Sequence, residues 1–160
     1  SILSSNLNGK KIMIKKNEVI FGEMTIEGSS NEQLIMKVAF DGKRKGVLYL
    51  VGTPKFNANE QVISFPDLEY DLETKNVLLR SAKWLFNSRI TDLLRSYSKF
   101  DLKPQLKEMK ETIQKEMNRE IQKGVEMKGQ IESISLEGIY PSKDKLIIRV
   151  NSKGEIQLSI

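Results

Sequence analysis

Two regions of this chain alternate apolar and polar residues, and this alternation constrains the fold more than any other feature. The clearest run is Leu34, Met36, Val38 and Phe40, which recurs at period two. Such alternation predicts strands with one buried face, because successive side chains on a strand point to opposite sides. We therefore expect strands over about residues 10–72 and 125–160, separated by residues 74–124, which have no convincing strand pattern.

Local signals refine the two strand regions. Asp41 and Gly42 form a tight-turn dipeptide, which predicts a β-hairpin. Pro66 cannot donate a hydrogen bond to a neighbouring strand, so it predicts a sheet edge or a bulge. The alternation changes phase at Ser133 and Ile134, which predicts a bulge that bends the strand. Because the links are of hairpin length, we expect a mainly antiparallel sheet.

Residues 74–124 have helical periodicity. Two shorter helices are expected first, and a longer one is expected after Pro104. This longer helix has a narrow apolar stripe that includes Leu106, Ile113 and Ile121, and it is expected to end at Gly124. The predicted fold class is α+β, with a curved, mainly antiparallel β-sheet packed around a long, broken α-helical segment over about residues 74–123. A chain of 160 residues is the size of one domain, so we expect residues 1–160 to form a single domain.

Composition excludes several function classes. The chain has no cysteine and no histidine, which removes disulfides, thiolate chemistry, histidine acid/base catalysis and the usual zinc sites. It has no apolar run close to the length of a membrane-spanning helix. Residues 1–8 have no signal-peptide pattern and no initiator methionine, so we expect either a trimmed chain or a fragment of a longer protein.

Several stretches together resemble a known bacterial family. They are GTP at residues 52–54, FPDLEYDLET at 65–74, KNVL at 75–78, AKWL at 82–85, FDL at 100–102, NRE at 118–120 and GIYP at 138–141. As an ordered set they are similar to the family called domain of unknown function 4403. The resemblance spans roughly residues 47–160 and is less clear over residues 1–46.

This resemblance implies that the chain corresponds to the C-terminal part of longer bacterial proteins. Members are often exported or lipid-anchored, so it implies the cell envelope, either periplasmic or lipid-anchored. The family has no established activity, and no catalytic residue is carried over from it. Its layout is also similar to one half of the tubular lipid-binding folds, such as the bactericidal/permeability-increasing protein, and this implies a lipid-binding fold by analogy alone.

Four carboxylates alternate along one predicted strand: Asp67, Glu69, Asp71 and Glu73. They could form a calcium site or an acid/base pair, because hard cations take several oxygens and paired acids have separated pKa values. A solvated strand face that guards an edge against aggregation is the favoured interpretation, because side chains on one face stand roughly 7 Å apart along a strand. We therefore predict no metal site, no cofactor and no catalytic residue.

Positive charge concentrates in residues 74–124, which contain 12 basic and 6 acidic residues and so account for the net charge of +5. An anionic membrane surface is one partner that would fit this charge. Interleaved acidic residues such as Glu111 and Glu116 instead favour a solvated helix face with ion pairs. Nucleic acid is not expected, because the basic residues lack interleaved aromatics for base stacking.

Aromatic and methionine side chains also concentrate in the helical region. They are typical of a core, but they could also line an apolar ligand cavity. If a ligand site exists, we expect it near Trp84. The predicted ligand-binding residues are Trp84, Phe86, Tyr97, Phe100, Met109 and Met117.

The sequence therefore leads to two functional hypotheses. The first is a noncatalytic bacterial envelope domain that binds a lipid or other apolar ligand between helix and sheet. The alternative is a structural or protein-interaction module with a fully packed core, completed by a second domain of the parent protein. Under either hypothesis the protein is not an enzyme. An enzyme is the third and least favoured hypothesis, and it would have to work through the four carboxylates, Asp67, Glu69, Asp71 and Glu73.

Overall fold

The computed structural model describes residues 7–14 and 16–160. Strand accounts for 52% of the residues and helix for 24%, so the protein is mainly β. The elements in chain order are β1 (Lys11–Ile14), β2 (Asn17–Ser30), β3 (Gln33–Gly42), β4 (Gly46–Gly52), β5 (Lys55–Asn57), β6 (Val62–Ser64), β7 (Glu69–Tyr70), α1 (Leu72–Ser81), a 3₁₀ turn (Lys83–Leu85), α2 (Ser88–Tyr97), β8 (Phe100–Asp101), α3 (Lys103–Glu116), β9 (Arg119–Gln122), β10 (Val125–Pro141) and β11 (Leu146–Ser159).

The largest sheet is antiparallel, with the strand order β1-β2-β3-β4-β7. The β2–β3 hairpin turns through Asn31 and Glu32, whose φ angles of 50° and 63° are those of a tight two-residue turn. The predicted hairpin at Asp41 and Gly42 is confirmed, and it joins β3 to β4. Register shifts in the β2–β3 pair, between Phe21 and Met24 and again farther along, interrupt its regular pairing and curl the sheet.

One face of this sheet carries the core. On β3 the predicted alternation is confirmed, since Leu34, Met36 and Val38 are fully buried. The side chains that oppose them across the ladder follow the same rule, and Leu48 and Leu50 of β4 are also buried. Burying one such side chain stabilises the fold by roughly 1.5–3 kcal/mol. Buried residues of the three helices and of the small sheet belong to the same core cluster as this face.

The predicted long strand after residue 61 is in fact two short strands in different sheets. β6 ends at Ser64, and the chain turns through Pro66, where the Leu68 N–H donates to the Phe65 carbonyl at 3.1 Å. β7 then joins the edge of the large sheet, whereas β6 lies between β5 and β8 in a small antiparallel sheet. Pro66 therefore lies outside any strand, because it has no N–H to donate.

The predicted long, broken helical segment is wrong, and with it the predicted half of a tubular lipid-binding fold. Residues 74–123 contain most of α1 and all of α2 and α3, which are short. β8 separates α2 from α3, and β9 follows α3. The chain leaves helical geometry at Ala82, and β8 then pairs with β6, with Phe100 opposite Ile63. No helix in the described part of the chain is long and apolar enough to cross a membrane.

The end of the segment departs from the prediction for a specific physical reason. Gly124 does have the positive φ, +83°, that a residue ending a helix often needs. Here it instead closes the hairpin between β9 and β10, because Gln122 pairs with Val125. A glycine with positive φ is suited to both a helix end and a tight hairpin. The prediction that Gly124 ends a helix is therefore wrong, although its backbone conformation is the one expected. Ile121, predicted on the helix stripe, lies in β9 and is exposed.

The third sheet has the order β11-β10-β9 and is dominated by a long hairpin of β10 and β11. The predicted bulge is confirmed, because the register shifts between Ile131 and Ser133. α3 is attached to this hairpin by side-chain amides. Gln114 donates to the Gly129 carbonyl and accepts from the Ile131 N–H at 2.8 Å, and Asn118 donates to the Gly129 carbonyl at 3.1 Å.

Two glycines with positive φ give a matched test of the fold. A Cβ at Gly42, where φ is +138°, would lie 2.0 Å from the Glu18 carbonyl oxygen, whereas a Cβ at Gly124 meets nothing within 4 Å. We expect Gly124→Ala to lower the free energy of unfolding by about 1 kcal/mol from backbone strain alone. Gly42→Ala should lower the free energy of unfolding several times more, because β2 and β3 must also move apart to make room for the new Cβ. Urea denaturation of both variants measures this, and equal losses would contradict it.

Candidate functional site

An apolar cleft of about 410 Å³ lies where the three sheets approach one another. β2 supplies one wall, the small sheet of β6 and β8 supplies another, and the β10–β11 hairpin supplies the third. We call it the apolar cleft, and its lining residues are Met24, Thr25, Ile26, Ile63, Phe100, Leu102, Asp144, Lys145, Leu146 and Ile148.

The floor of the apolar cleft is buried, whereas its wall on the hairpin side is exposed. Met24, Ile63 and Phe100 are buried at 0–2% exposure and belong to the main core. The Phe100 ring also contacts Phe65 edge-on, with 6.3 Å between the ring centroids. On the hairpin side Ile148 remains 36% exposed. The cleft therefore has a fixed apolar base and a more accessible wall from β11.

The chemistry of the apolar cleft is that of a binding surface. Seven of its ten lining residues are aliphatic, aromatic or methionine side chains, and its charged residues are Asp144 and Lys145. Ligand pockets in proteins typically occupy about 300–1,000 Å³ and are mainly apolar with a few polar groups. The volume and lining both fall within this description. A single carboxylate next to a single amine offers no paired acids and no nucleophile with a base.

The residues predicted to bind a ligand do not lie together. Of the six, Phe100 lines the apolar cleft. Trp84 is half-buried in the 3₁₀ turn and packs on the core, and Tyr97 lies beneath the Lys10 ammonium at 5.3 Å. Met109 is exposed on α3, while Met117 packs beside Gly129 of β10.

Phe86 lies in a different place from the apolar cleft. Its ring contacts the Tyr70 ring, with 5.2 Å between centroids, and lies 5.7 Å from the Lys75 ammonium. A depression of about 150 Å³ lies here, and its lining residues are Glu69, Tyr70, Lys75, Phe86, Thr91 and Arg95. This depression is small and mixed in polarity, so it has less apolar surface to offer than the apolar cleft. Ligand binding by Phe86 stays a prediction.

Residues that sequence reasoning did not assign to a ligand site form most of the apolar cleft. Met24 and Ile26 continue the inward face of β2, and Leu146 and Ile148 start β11. Their period-two spacing identifies them as inward-facing strand residues. No local pattern shows that residues 120 positions apart approach each other, so the cleft itself required the structure.

Comparison with known proteins places the chain in a family. The sequence profile of the domain of unknown function 4403 (DUF4403) matches residues 1–160. The chain belongs to this family. The match covers the whole chain, including the first residues, where the resemblance was less clear. No curated protein and no solved structure matches it. Correspondence to the C-terminal part of longer DUF4403 proteins stays a prediction.

The four carboxylates of this DUF4403 domain do not lie along one strand. Glu69 is in β7, and Asp71 is the N-cap of α1, accepting from the Glu73 N–H at 3.1 Å. Asp67 lies in the turn before β7 and accepts from the Thr53 N–H at 2.7 Å and the Thr53 hydroxyl at 2.6 Å. In residues 7–14 and 16–160, no group of three or more acidic residues is arranged to hold a metal ion.

The basic residues of the helical region are mostly exposed, and several form short-range ion pairs. Arg95 pairs with Asp92 at 3.3 Å, and Lys107 with Glu111 at 3.9 Å. Arg119 pairs with Glu116 at 3.3 Å. These are exposed pairs of residues three or four positions apart, as expected for a solvated surface, and each contributes little to stability. Binding to an anionic membrane surface stays a prediction.

A second depression, which we call the outer groove, lies on the opposite face of the large sheet. It has a volume of about 590 Å³ and is lined by residues of β3, β4 and α1, among them Val47, Tyr49 and Val77. Its rim includes Asp71 and Glu73, and its lining is more polar than that of the apolar cleft. The apolar cleft is therefore the better candidate for an apolar ligand.

Asp67 provides a pH-dependent test of the turn that precedes β7. Burial raises the pKa of its carboxyl, but the hydrogen bonds from Thr53 and Gln33 outweigh burial, so the pKa lies below its ordinary value of 3.8. A lowered folded-state pKa means that ionised Asp67 stabilises the fold at neutral pH, and that this stabilisation is lost as the pH falls through that pKa. We expect Asp67→Ala to cost about 1 kcal/mol at neutral pH.

The measurement is urea denaturation at pH 7 and near pH 2, where the cost of Asp67→Ala should shrink. Glu69→Ala is the control, because it removes an exposed carboxylate two residues away. A cost that is the same at both pH values would show that Asp67 acts through packing rather than through its charge.

Proposed function

We propose that this DUF4403 domain is a noncatalytic binding module that holds a lipid or another apolar ligand in the apolar cleft. The observation that carries the proposal is the cleft itself, an apolar depression with a buried base formed by Met24, Ile63 and Phe100. Burial of an aliphatic group in such a cleft contributes ~0.8 kcal/mol per CH₂. An eight-carbon segment would thus contribute ~6 kcal/mol before the cost of association is subtracted.

The proposal differs from the sequence hypothesis in where the ligand lies. The sequence placed it between helix and sheet near Trp84, whereas the cleft lies between β2, the small sheet and β11. Lys145 at the rim offers a charge partner for an acidic head group, and Leu146 and Ile148 offer apolar contacts for a chain. A fatty acid or a similar amphiphile combines both features.

A noncatalytic role has independent chemical support. The chain lacks histidine and cysteine altogether. Two of the four clustered carboxylates have structural tasks, since Asp67 holds a turn and Asp71 caps α1. A structural or protein-interaction module with a fully packed core is the alternative, and an open cleft of about 410 Å³ is not the packing that it requires.

We also propose that the domain works in the bacterial cell envelope, periplasmic or lipid-anchored. The support is the family resemblance, whose members are often exported. A lipid-binding module in this compartment would meet acyl chains directly. Cell fractionation with an antibody against the domain tests the location, and recovery in the cytosolic fraction alone would contradict it.

The binding test uses two neighbours on opposite faces of β11. Ile148 lines the apolar cleft and is 36% exposed, whereas Ile147 faces the other way and is slightly more exposed, at 44%. We expect Ile148→Lys to weaken binding of a fluorescent fatty acid at least tenfold, because it places an ammonium group in the cleft. Ile147→Lys should bind as the unmodified domain does.

Mass spectrometry of the native extract, before and after delipidation, identifies any ligand carried through purification. Recovery of an amphiphile together with the expected difference between the two variants would support the proposal. Absence of both a recovered ligand and fatty-acid uptake would overturn it. Equal loss of binding in both variants would place the ligand outside the apolar cleft.

A further inference from the structure

β11 lies at the edge of its sheet, and its far half, residues 152–159, lies away from the apolar cleft. β10 pairs with one side of β11, and in the described part of the chain no strand pairs with its other side. The two register shifts of the hairpin place their extra residues, Glu132 and Glu137, on β10. β11 is therefore regular over its 14 residues and contains no proline. Such an edge offers a row of backbone donors and acceptors to another strand.

The same part of β11 also has an uncovered apolar face. Ile156 lies opposite Gly129 and Leu158 opposite Met127, so both point to the side of the hairpin on which α3 packs. α3 contacts β10 through Gln114 and Met117, and it leaves Ile156 at 61% and Leu158 at 58% exposure. Exposed apolar side chains beside an open edge are the combination that strand addition buries.

The order of residues along β11 identifies the occupant. When two copies of β11 pair antiparallel about a twofold axis at Gly154, Lys153 of each copy lies opposite Glu155 of the other. In the same register Val150 lies opposite Leu158, on the apolar face. Moving the axis by one residue places Lys153 opposite Lys153, or Glu155 opposite Glu155, which repel. The edge is thus self-complementary in charge, and the same register places Val150 beside Leu158 and Ser152 beside Ile156.

We propose that β11 is the dimerisation edge of this domain, and that two copies join their C-terminal sheets into one continuous antiparallel sheet centred on Gly154. Twofold symmetry of this kind is the commonest form of oligomer. The proposal does not rest on the apolar cleft, because the pairing is centred on Gly154, in the half of β11 that does not line the cleft. A dimer that binds no ligand would support the dimerisation edge and contradict the proposed function, whereas a monomer that binds ligand would do the reverse.

Charge exchange tests the proposed register. Analytical ultracentrifugation over a concentration series should show a reversible dimer of the unmodified domain. Lys153→Glu or Glu155→Lys alone places like charges opposite each other at two symmetric positions, so each should weaken the dimer about tenfold. The double variant restores opposite charges and should recover the dimer. Lys143→Glu, an equal charge change in the β10–β11 turn, is the control and should have no effect.

Cross-linking tests the same register without relying on charge. The chain has no cysteine, so introduced thiols are the only ones present. Asn151 and Gln157 lie opposite each other across the proposed axis and roughly 20 Å apart within one strand, at about 3.4 Å per residue. The variant carrying both Asn151→Cys and Gln157→Cys should oxidise to a covalent dimer, whereas Asn151→Cys alone should not.

A strictly monomeric domain at high concentration would overturn the proposal. So would a dimer that resists both single charge changes and fails to cross-link, since it would use another surface. If a strand from a different protein occupies the edge in native extracts while the purified domain stays monomeric, self-pairing is likewise excluded.

Discussion

The fold depends on one constraint, which is that the large sheet must bury one of its two faces. Leu34, Met36, Val38 and their neighbours on β2 and β4 form this face, and they are inaccessible to water. Because side chains alternate along a strand, a slip of one residue in any of these pairings would move the apolar set to the solvent side. The burial therefore fixes the register of β2, β3 and β4. Buried residues of the helices and of the small sheet complete the same core cluster.

The strands and their turns were predictable because their causes are local. The alternation of β3, the turn at Gly42 and the bulge near Ser133 each follow from a few adjacent residues. The helical region was less predictable because its outcome depends on distant partners. Phe100 lies in a strand since Ile63 is available to pair with it, and Gly124 closes a hairpin since β10 returns alongside β9. Between Phe100 and Gly124 the chain does form a helix, α3, but this helix ends at Glu116 and not at Gly124 as the sequence predicts.

The apolar cleft was even less predictable from the sequence, because it depends on more distant residues. Its base combines Met24 with Ile63 and Phe100, and its open wall comes from Ile148. Each residue follows the pattern of its own strand, but the cleft arises from the arrangement of three sheets. The aromatic density around Trp84, which favoured a site there, reflects packing on the core. Sequence composition thus shows that aromatic side chains are concentrated in this region, but it does not show which of them border open space.

β11 connects the two features on which function is proposed to depend. Its first residues, including Leu146 and Ile148, form the accessible wall of the cleft, while Ile156 and Leu158 lie on the free part of the same strand. A strand paired on one side and largely exposed frays more readily than a central one, because fewer contacts hold it. Pairing of its far half with a second strand would therefore restrict motion of the wall near the cleft. Ligand contact with Ile148 and occupation of the edge would then favour the same ordered state of β11, which is the thermodynamic requirement for coupling between them.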